Sequence, residues 1–167
     1  MTISSTLRNK LTGAAGAGAL AIATLLLGNE AGLEGRQYRP YPDVAGVLTV
    51  CDGHTGRDIV PGKTYTDHEC DRLLQRDLQS VKRLVDSSVT VPLGEYQRAA
   101  LYSFAYNVGT GAFSHSTLLR KLNAGDRAGA CDEMRRWVYA GGIRWKGLEN
   151  RRTTERTLCL AESEHDL

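Results

Sequence analysis

The chain has 167 residues and a formal net charge of +2, and a length of this order is typical of one domain. Two of its 21 basic residues, Arg8 and Lys10, lie within residues 1–28, which contain no acidic residue, so the remainder carries 19 basic and 19 acidic side chains. This balance gives no electrostatic basis for binding nucleic acid, and we expect no nucleic-acid partner.

An uncharged run of alanine, leucine and glycine, residues 11–27, precedes the rest of the chain. As a helix it would extend about 25 Å, slightly less than the roughly 30 Å of a bilayer core, and its small side chains bury little apolar surface. Arg8 and Lys10 precede the run, whereas Glu30 and Glu34 follow it. This charge distribution predicts a weak membrane anchor with its N-terminus in the cytoplasm and the remaining chain outside.

A cleaved secretory signal is the alternative interpretation of the run, because it has a basic start and an apolar centre. Cleavage requires small residues after the apolar stretch, and residues 28–31 match that requirement poorly. We therefore expect two parts, an uncleaved segment of residues 1–28 and a domain of residues 29–167. A face of small residues in the run is also typical of weak self-association in the membrane. This face comprises Gly13, Ala17 and Ala21.

Four cysteines lie beyond the run, namely Cys51, Cys70, Cys131 and Cys159. In an exported domain they can form up to two disulfides, with three possible pairings. Their spacing does not select one pairing, and ordinary buried thiols are the alternative.

Residues 36–62 contain β-favouring residues and turn formers, and they predict strands over residues 37–41 and 47–51. From residue 66 onward the pattern is helical. Thr66 and Glu69 fit a capping box that begins a helix with leucine and valine on its inner face. Further helices are predicted over residues 95–107, 116 or 117 to 123, 126–139 (stopped by Gly141 and Gly142) and 148–160.

This order of elements predicts an α+β fold with segregated parts. We expect a small antiparallel β-region and a mainly helical lobe, preceded by the weakly hydrophobic N-terminal helix. A cleft between the two parts is the natural place for a substrate.

Two carboxylates suit the acid-catalysed cleavage of a glycosidic bond. This reaction needs a protonated carboxyl that donates to the leaving oxygen and an ionised carboxylate that orients water or attacks. Glu34 lies at the end of a predicted helix and Asp43 in a turn, so we expect the glutamate to be the more enclosed. Thr49 lies on the following strand, where its hydroxyl can help to hold a water. Taken alone, Asp43 also fits an ordinary turn residue after Pro42.

Short motifs around these residues follow one another along the chain. They are Glu34-Gly35-Arg36, Tyr41-Pro42-Asp43, Gly46-Val47-Leu48-Thr49, Gly53-His54-Thr55-Gly56, Ser103-Phe104-Ala105-Tyr106-Asn107-Val108-Gly109, Ser116-Thr117-Leu118-Leu119, Arg135-Arg136-Trp137 with Tyr139-Ala140-Gly141-Gly142, and Gly147-Leu148 with Arg151-Arg152. In this order they resemble the phage-type lysozymes, glycoside hydrolase family 24, over about residues 30–160. With the apolar run in front, the chain is similar to the signal-anchor-release endolysins of lambdoid phages, and a phage-lysozyme-like fold is implied.

The resemblance implies a role for each of three polar residues. Glu34 is the general acid, Asp43 is the base that positions water, and Thr49 assists it. The family inverts the anomeric carbon, which requires roughly 6.5–9.5 Å between the two carboxyls. The bond cut is the β-1,4 link after N-acetylmuramic acid in the glycan strands of peptidoglycan, and no metal or cofactor is required.

The resemblance also implies supporting residues. His54 matches a structural histidine of the family and Asp77 its partner, so we expect this pair to brace the two lobes. Arg151 matches an arginine that pairs with the catalytic glutamate, where a guanidinium would lower the pKa of a buried carboxyl. A solvated helix face shared with Arg152 and Arg156 is the alternative for Arg151.

Asn107 and Ser116 match residues of the family that contact the sugar. Each also fits a capping role at a helix end. Trp137 and Trp145 are expected to pack in the core or between the lobes rather than to bind sugar.

The anchor suggests how such an enzyme is controlled. While residues 11–27 stay in the host inner membrane, only six residues separate them from Glu34, and we expect the helix that carries Glu34 to be unable to dock. Release to the periplasm would let the freed helix pack on the domain. Two other functions fit the chain: a catalytically inactive, membrane-tethered peptidoglycan-binding protein, and a transglycosylase that needs no water-activating aspartate.

Overall fold

The structure, a computed structural model, describes residues 3–14, 16–28, 35–162 and 166–167. Within these ranges the elements are α1 Ser5–Gly13, α2 Ala19–Leu27, β1 Gln37–Pro42, β2 Leu48–Cys51, β3 His54–Thr55, α3 Asp67–Ser88, α4 Glu95–Val108, α5 Thr110–Ser114, α6 Thr117–Asn123, α7 Arg127–Glu133, β4 Tyr139–Ala140, β5 Ile143–Arg144 and α8 Lys146–Leu160. The expected α+β organisation, a small antiparallel region combined with a mainly helical lobe, is confirmed.

The apolar N-terminal run forms two helices where the sequence predicted one. α1 ends at Gly13 and α2 begins at Ala19, and Gly16 and Gly18 between them have φ angles of 82° and 90°. Glycine adopts positive φ angles at little cost, and such angles interrupt a right-handed helix. None of the helices that the structure describes combines the length and apolar character needed to cross a bilayer.

The second of these helices, α2, is packed inside the helical lobe. Ile22, Leu26 and Leu27 are fully buried, and they belong to the same apolar core as side chains of α3 and α4. Thr24 Oγ1 accepts a hydrogen bond of 3.2 Å from Gln75 Nε2 of α3. The C-terminal half of the run is therefore part of the core of this structure.

The β-region is a three-stranded antiparallel sheet in the order β1-β2-β3. Tyr41 of β1 lies opposite Thr49 of β2, and Val50 of β2 lies opposite His54 of β3. Both predicted strands are confirmed, whereas β3 was not expected. A small apolar cluster combines side chains of this sheet, of the following loop and of α3. It comprises Val50, Cys51, Ile59, Tyr65 and Cys70.

Helix α3 joins the two parts of the molecule. It begins with the predicted capping box, in which Thr66 Oγ1 accepts from Glu69 N at 3.3 Å and the Glu69 carboxylate accepts from Thr66 N at 2.9 Å. Its buried face then changes partners, because Cys70 belongs to the small cluster, whereas Leu74 and Leu78 belong to the main core. One helix thus fixes the β-region relative to the helical lobe.

Helix α4 is the centre of the helical lobe. Nine of its residues are buried, and it packs against α2, α3 and α8. A helix that is buried nearly all round is typical of such a central position. The predicted helices corresponding to α4, α6 and α8 are confirmed with small shifts at their ends, whereas the short α5 was not predicted.

The helix expected over residues 126–139 ends early. Asp126 is its N-cap, as predicted, but α7 ends at Glu133 and a short 3-10 turn follows. Tyr139 belongs to a hairpin of β4 and β5, whose two turn residues, Gly141 and Gly142, both have positive φ. Two-residue hairpin turns favour glycine at such positions, so the glycine pair forms a turn and does not cap a helix.

All four cysteines are paired, Cys51 with Cys70 and Cys131 with Cys159. The first disulfide links β2 to α3, and the second links α7 to α8. The structure thereby selects one of the three pairings that the sequence left open, and the buried-thiol alternative is wrong. Disulfides that close loops of this length stabilise a domain by about 3 kcal/mol each.

Candidate active site

Glu34, the expected general acid, belongs to residues 29–34, which lie outside the described residues. The remaining expected site residues come from both parts of the molecule. Asp43 and Thr49 belong to the β-region, Asn107 lies near the end of α4, and Arg151 lies on α8.

Asp43 is held in the turn between β1 and β2. Its amide donates to Val47 O at 2.9 Å, and its Oδ1 accepts from Ala45 N at 2.8 Å and from Val47 N at 2.9 Å. Gly46, with a φ of 78°, lets the chain reverse at this point. Among the described residues no donor binds Asp43 Oδ2, so this oxygen is available to a water molecule.

Thr49 is connected to Asp43 through Val47. Its Oγ1 donates to Val47 O at 2.9 Å, the same oxygen that accepts from the Asp43 amide. Because the hydroxyl hydrogen is committed, the lone pairs of Oγ1 remain to accept a hydrogen bond from water. The residue is 4% exposed. The structure therefore brings the two expected polar groups of the β-region together.

The tip of the β4–β5 hairpin approaches the Asp43 turn from the helical lobe. A β-carbon built on Gly141, whose φ is 57°, would lie 3.7 Å from Val44 O. Glycine suits the left-handed conformation, and the distance is that of ordinary van der Waals contact. The turn of the β-region and the hairpin of the helical lobe thus meet at one edge of the space between them.

Arg36, two residues after Glu34 in sequence, has a buried side chain that sequence reasoning did not single out. Its Nε and Nη2 donate to the two carboxylate oxygens of Asp52 at 3.0 and 2.7 Å, and this interaction raises the pKa of Arg36. Further hydrogen bonds reach Asp67 at 2.9 Å and Asp71 at 2.7 Å. All three carboxylates are distant in sequence, so no local pattern indicates this cluster.

His54 lies between carboxylates of α3 and of the loop after β3. Its Nδ1 is 2.6 Å from Asp77 Oδ2, and its Nε2 is 3.1 Å from Asp58 Oδ1. The hydrogen bond with Asp77 raises the pKa of His54, although burial opposes this effect. Hydrogen bonds from Arg76 and from His54 lower the pKa of Asp58 to about 2. The contact expected between His54 and Asp77 is present, and it joins β3 to α3.

A buried ionic network lies between α8 and α4. Arg151 and Arg152 are 2% and 1% exposed, and Glu155 is fully buried. Glu155 Oε1 accepts from Arg151 Nε at 3.2 Å, Arg152 Nη2 at 3.2 Å and Ser103 Oγ at 2.7 Å. Arg152 Nη2 also donates to Asn107 Oδ1 at 2.8 Å. The network thereby ties Asn107 to α8.

This burial makes the solvated-face alternative wrong for Arg151. The same holds for Arg152, whereas Arg156 is partly exposed and binds Asp132 at 2.6 Å. Sequence reasoning missed Glu155, although it follows the two buried arginines at the three- and four-residue spacing that places side chains on one helix face. Buried guanidinium groups require such a carboxylate partner.

Ser116 serves as the N-cap of α6. Its Oγ accepts from Leu119 N at 3.1 Å and donates to Phe113 O at 2.7 Å, and the residue is buried. The capping alternative for Ser116 is therefore confirmed, and its hydroxyl hydrogen is committed within the protein.

The two tryptophans differ in their surroundings. Trp137 packs edge-to-face against Phe104, with 5.6 Å between the ring centres, which confirms the packing expected for it. Trp145 is 40% exposed, and its Nε1 donates to Ala140 O at 3.1 Å. Packing in the core is therefore wrong for Trp145, whose indole instead binds the backbone of the exposed β4–β5 hairpin.

Residues 31–155 match the phage lysozyme family. The SAR-endolysin of Bacteriophage PS119 is 56% identical over 163 residues, covering 96% of this chain and 98% of the relative. A solved lysozyme mutant of phage P22 superposes with a TM-score of 0.64 at 33% identity, covering 96% of this chain and 99% of that chain. The muramidase domain of SpmX from Asticaccaulis excentricus gives a TM-score of 0.70 at 26% identity, covering 96% and 98%.

The fold, a small antiparallel sheet joined to a helical lobe by one long helix, is that of a lysozyme-like glycoside hydrolase. With the family match extending over most of its length, the chain belongs to the phage lysozyme family.

Proposed function

We propose that this chain is an endolysin that hydrolyses the β-1,4 bond between N-acetylmuramic acid and N-acetylglucosamine in peptidoglycan, and so lyses the host cell. The observation that carries the proposal is the Asp43–Thr49 pair in a chain of the phage lysozyme family. Both residues are fixed through one carbonyl, that of Val47, and Asp43 Oδ2 has no donor among the described residues.

The mechanism assigns one step to each polar group. Glu34 donates its proton to the glycosidic oxygen as the bond to the anomeric carbon breaks. A water molecule, held by Thr49 Oγ1 and deprotonated by Asp43 Oδ2, attacks that carbon from the opposite face. Because water enters opposite the leaving group, the β-linkage yields an α-configured product, and the two carboxyls stand roughly 6.5–9.5 Å apart.

Supporting roles fall to the residues around this pair. Arg151, buried on α8, pairs with the Glu34 carboxylate after proton transfer. Asn107, which is oriented by Arg152, contacts the sugar. Ser116 supports the sugar-binding side of the helical lobe by capping α6. His54 and Asp77 brace the β-region against α3.

Control of the enzyme rests on residues 1–28, the signal-anchor-release segment in front of the lysozyme domain of residues 29–167. Before release, residues 11–27 lie in the host inner membrane with the N-terminus in the cytoplasm, and they associate weakly with one another. After release to the periplasm, α2 packs on the lysozyme domain. Support comes from the full burial of Ile22, Leu26 and Leu27 against α3 and α4, since these side chains would otherwise meet water.

The test is clearing of purified peptidoglycan by the full chain and by Glu34→Gln, Asp43→Asn and Glu30→Gln variants. Loss of an acid or base catalyst lowers a rate by about 10²- to 10⁴-fold, so we expect such losses for the first two variants. Glu30→Gln is the control, because it makes the same chemical change four residues before Glu34, and it should retain wild-type clearing. Formation of new reducing ends separates hydrolysis from transglycosylation.

Two outcomes would contradict the proposal. Binding of peptidoglycan by the wild-type chain without any clearing would favour the inactive binding protein. Clearing that persists in Glu34→Gln would exclude this glutamate as the acid.

A further inference from the structure

Arg36 holds the start of β1 against two other parts of the molecule. Its guanidinium binds both oxygens of Asp52 in the turn between β2 and β3, and it reaches Asp67 and Asp71 in the first turns of α3, all at 2.7–3.0 Å. The side chain is 4% exposed. A planar group with five donors can serve three carboxylates at once, whereas a lysine ammonium offers a single charged point.

The carboxylates that bind this guanidinium are themselves fixed. Asp52 follows Cys51, Asp71 follows Cys70, and a disulfide joins the two cysteines. The backbone carbonyl of Asp52 also accepts a hydrogen bond of 3.0 Å from Tyr106 Oη of α4. The position of the guanidinium is therefore tied to the sheet, to α3 and to the helical lobe.

Arg36 is also close to Glu34 along the chain. Only Gly35, which has no side chain, separates them, so their Cα atoms lie within about 7 Å of each other. On the other side of Glu34, a β-carbon built on Gly28 would lie 3.9 Å from Leu74 of α3. Gly28 and Arg36, which lie on either side of Glu34 in sequence, are thus both close to α3.

We propose that Arg36 is a positioning residue for the general acid, because its hydrogen bonds fix the chain two residues after Glu34. The inference rests on the proposed function, in which Glu34 is the proton donor. A general acid acts only within hydrogen-bond reach of its target, and a displacement of about 1 Å costs up to roughly 10²-fold in rate. Loss of this anchoring slows catalysis and leaves sugar binding unchanged.

The experiment compares Arg36→Met, Arg36→Lys and Lys63→Met in the full chain. Lys63 binds Glu69 at 2.6 Å in the first turn of α3, close to the Arg36 cluster in sequence, and it makes no bond to β1 among the described residues. Lys63→Met is therefore a control for the loss of an exposed ion pair at the start of α3 that does not involve β1. Initial rates of reducing-end formation on soluble glycan strands give kcat and KM, and circular dichroism gives the folded fraction and Tm.

We expect Arg36→Met to lower kcat per folded molecule by at least about tenfold and to leave KM within about twofold of wild type. Compared with Arg36→Met, Arg36→Lys should restore most of the Tm but only part of kcat. Lysine keeps the positive charge but lacks the planar set of donors that binds several carboxylates at once. Lys63→Met should change Tm little, and kcat should stay within about twofold of wild type.

Wild-type kcat in folded Arg36→Met, or an equal loss of kcat in Lys63→Met, would overturn the inference. If Arg36→Met does not fold, Arg36→Lys decides, since wild-type kcat would overturn the inference and a reduced kcat at unchanged KM would support it. Activity that survives Glu34→Gln would instead contradict the proposed function. That result is separable, because it does not depend on any substitution at Arg36.

Discussion

At the scale of single residues, the backbone of Val47 holds Asp43 and Thr49, the two groups proposed to activate water. Its carbonyl accepts from the Asp43 amide and from the Thr49 hydroxyl, and its amide donates to Asp43 Oδ1. The backbone of one residue thus relates the positions of a carboxylate and a hydroxyl that share a water in the proposed mechanism. Because these contacts involve main-chain atoms, they tolerate a change of the Val47 side chain, which is exposed.

The His54–Asp77 contact makes stability depend on pH. A histidine whose folded-state pKa is raised stabilises the fold fully below its unfolded pKa of about 6.5, and this contribution disappears as pH rises through the folded pKa. The pKa of His54 is raised chiefly by its hydrogen bond with Asp77. We therefore expect Asp77→Asn to destabilise the protein more at pH 5 than at pH 8, by about 1.5–3 kcal/mol at the lower pH.

Urea unfolding of wild type and Asp77→Asn at pH 5, 6.5 and 8 measures this difference. Asp132→Asn is the control, because Asp132 pairs with Arg156 and not with a histidine. Its loss of stability should be the same at all three pH values. If the loss of unfolding free energy in Asp77→Asn does not change with pH, the charge on His54 is unimportant for its contact with Asp77.

At the scale of elements, local signals in the sequence predicted the helix starts. Thr66 with Glu69, Ser116 and Asp126 all cap helices as expected, because capping uses side chains within three residues of one another. The end of α7 was not predictable in the same way, since Gly141-Gly142 suits both a helix stop and a hairpin turn. Long-range pairing, as between Ser103 and Glu155, leaves no local pattern.

The break between α1 and α2 provides a second test at this scale. Gly16 and Gly18 have positive φ angles, and a β-carbon on either would meet no atom within 4 Å. Leucine there would still be strained, by about 1–2 kcal/mol for each residue, and it would favour a longer apolar helix in lipid. We expect Gly16→Leu and Gly18→Leu to keep more of the chain in the membrane fraction and to delay lysis.

Gly13→Leu is the matched control, because it adds the same apolar surface at a residue within α1 whose φ is not positive. Retention in the membrane should be smaller for this variant than for the other two. Equal retention in all three variants would mean that hydrophobicity alone, and not the break between the helices, governs release.

At the scale of the whole molecule, the apolar run has two competing environments. In the membrane, the apolar side chains of the run would contact lipid. In this structure, those of α2 contact the core formed with α3 and α4 instead. Thr24 also accepts a hydrogen bond from Gln75 in this packed form. The abundance of alanine and glycine weakens the run in both settings, so a modest change can shift the balance. Sequence predicted the weak anchor from composition, whereas the interior position of α2 depends on contacts with α4 that are distant in the chain.

The central claim is that water, activated by Asp43, attacks opposite a proton donated by Glu34. Proton NMR of the product, recorded before mutarotation, tests it most directly. The account predicts that the new reducing-end N-acetylmuramic acid first appears as the α-anomer, with no β-anomer until later. A β-anomer as the first product would show retention through a covalent or equivalent intermediate, and the role given to Asp43 would be wrong.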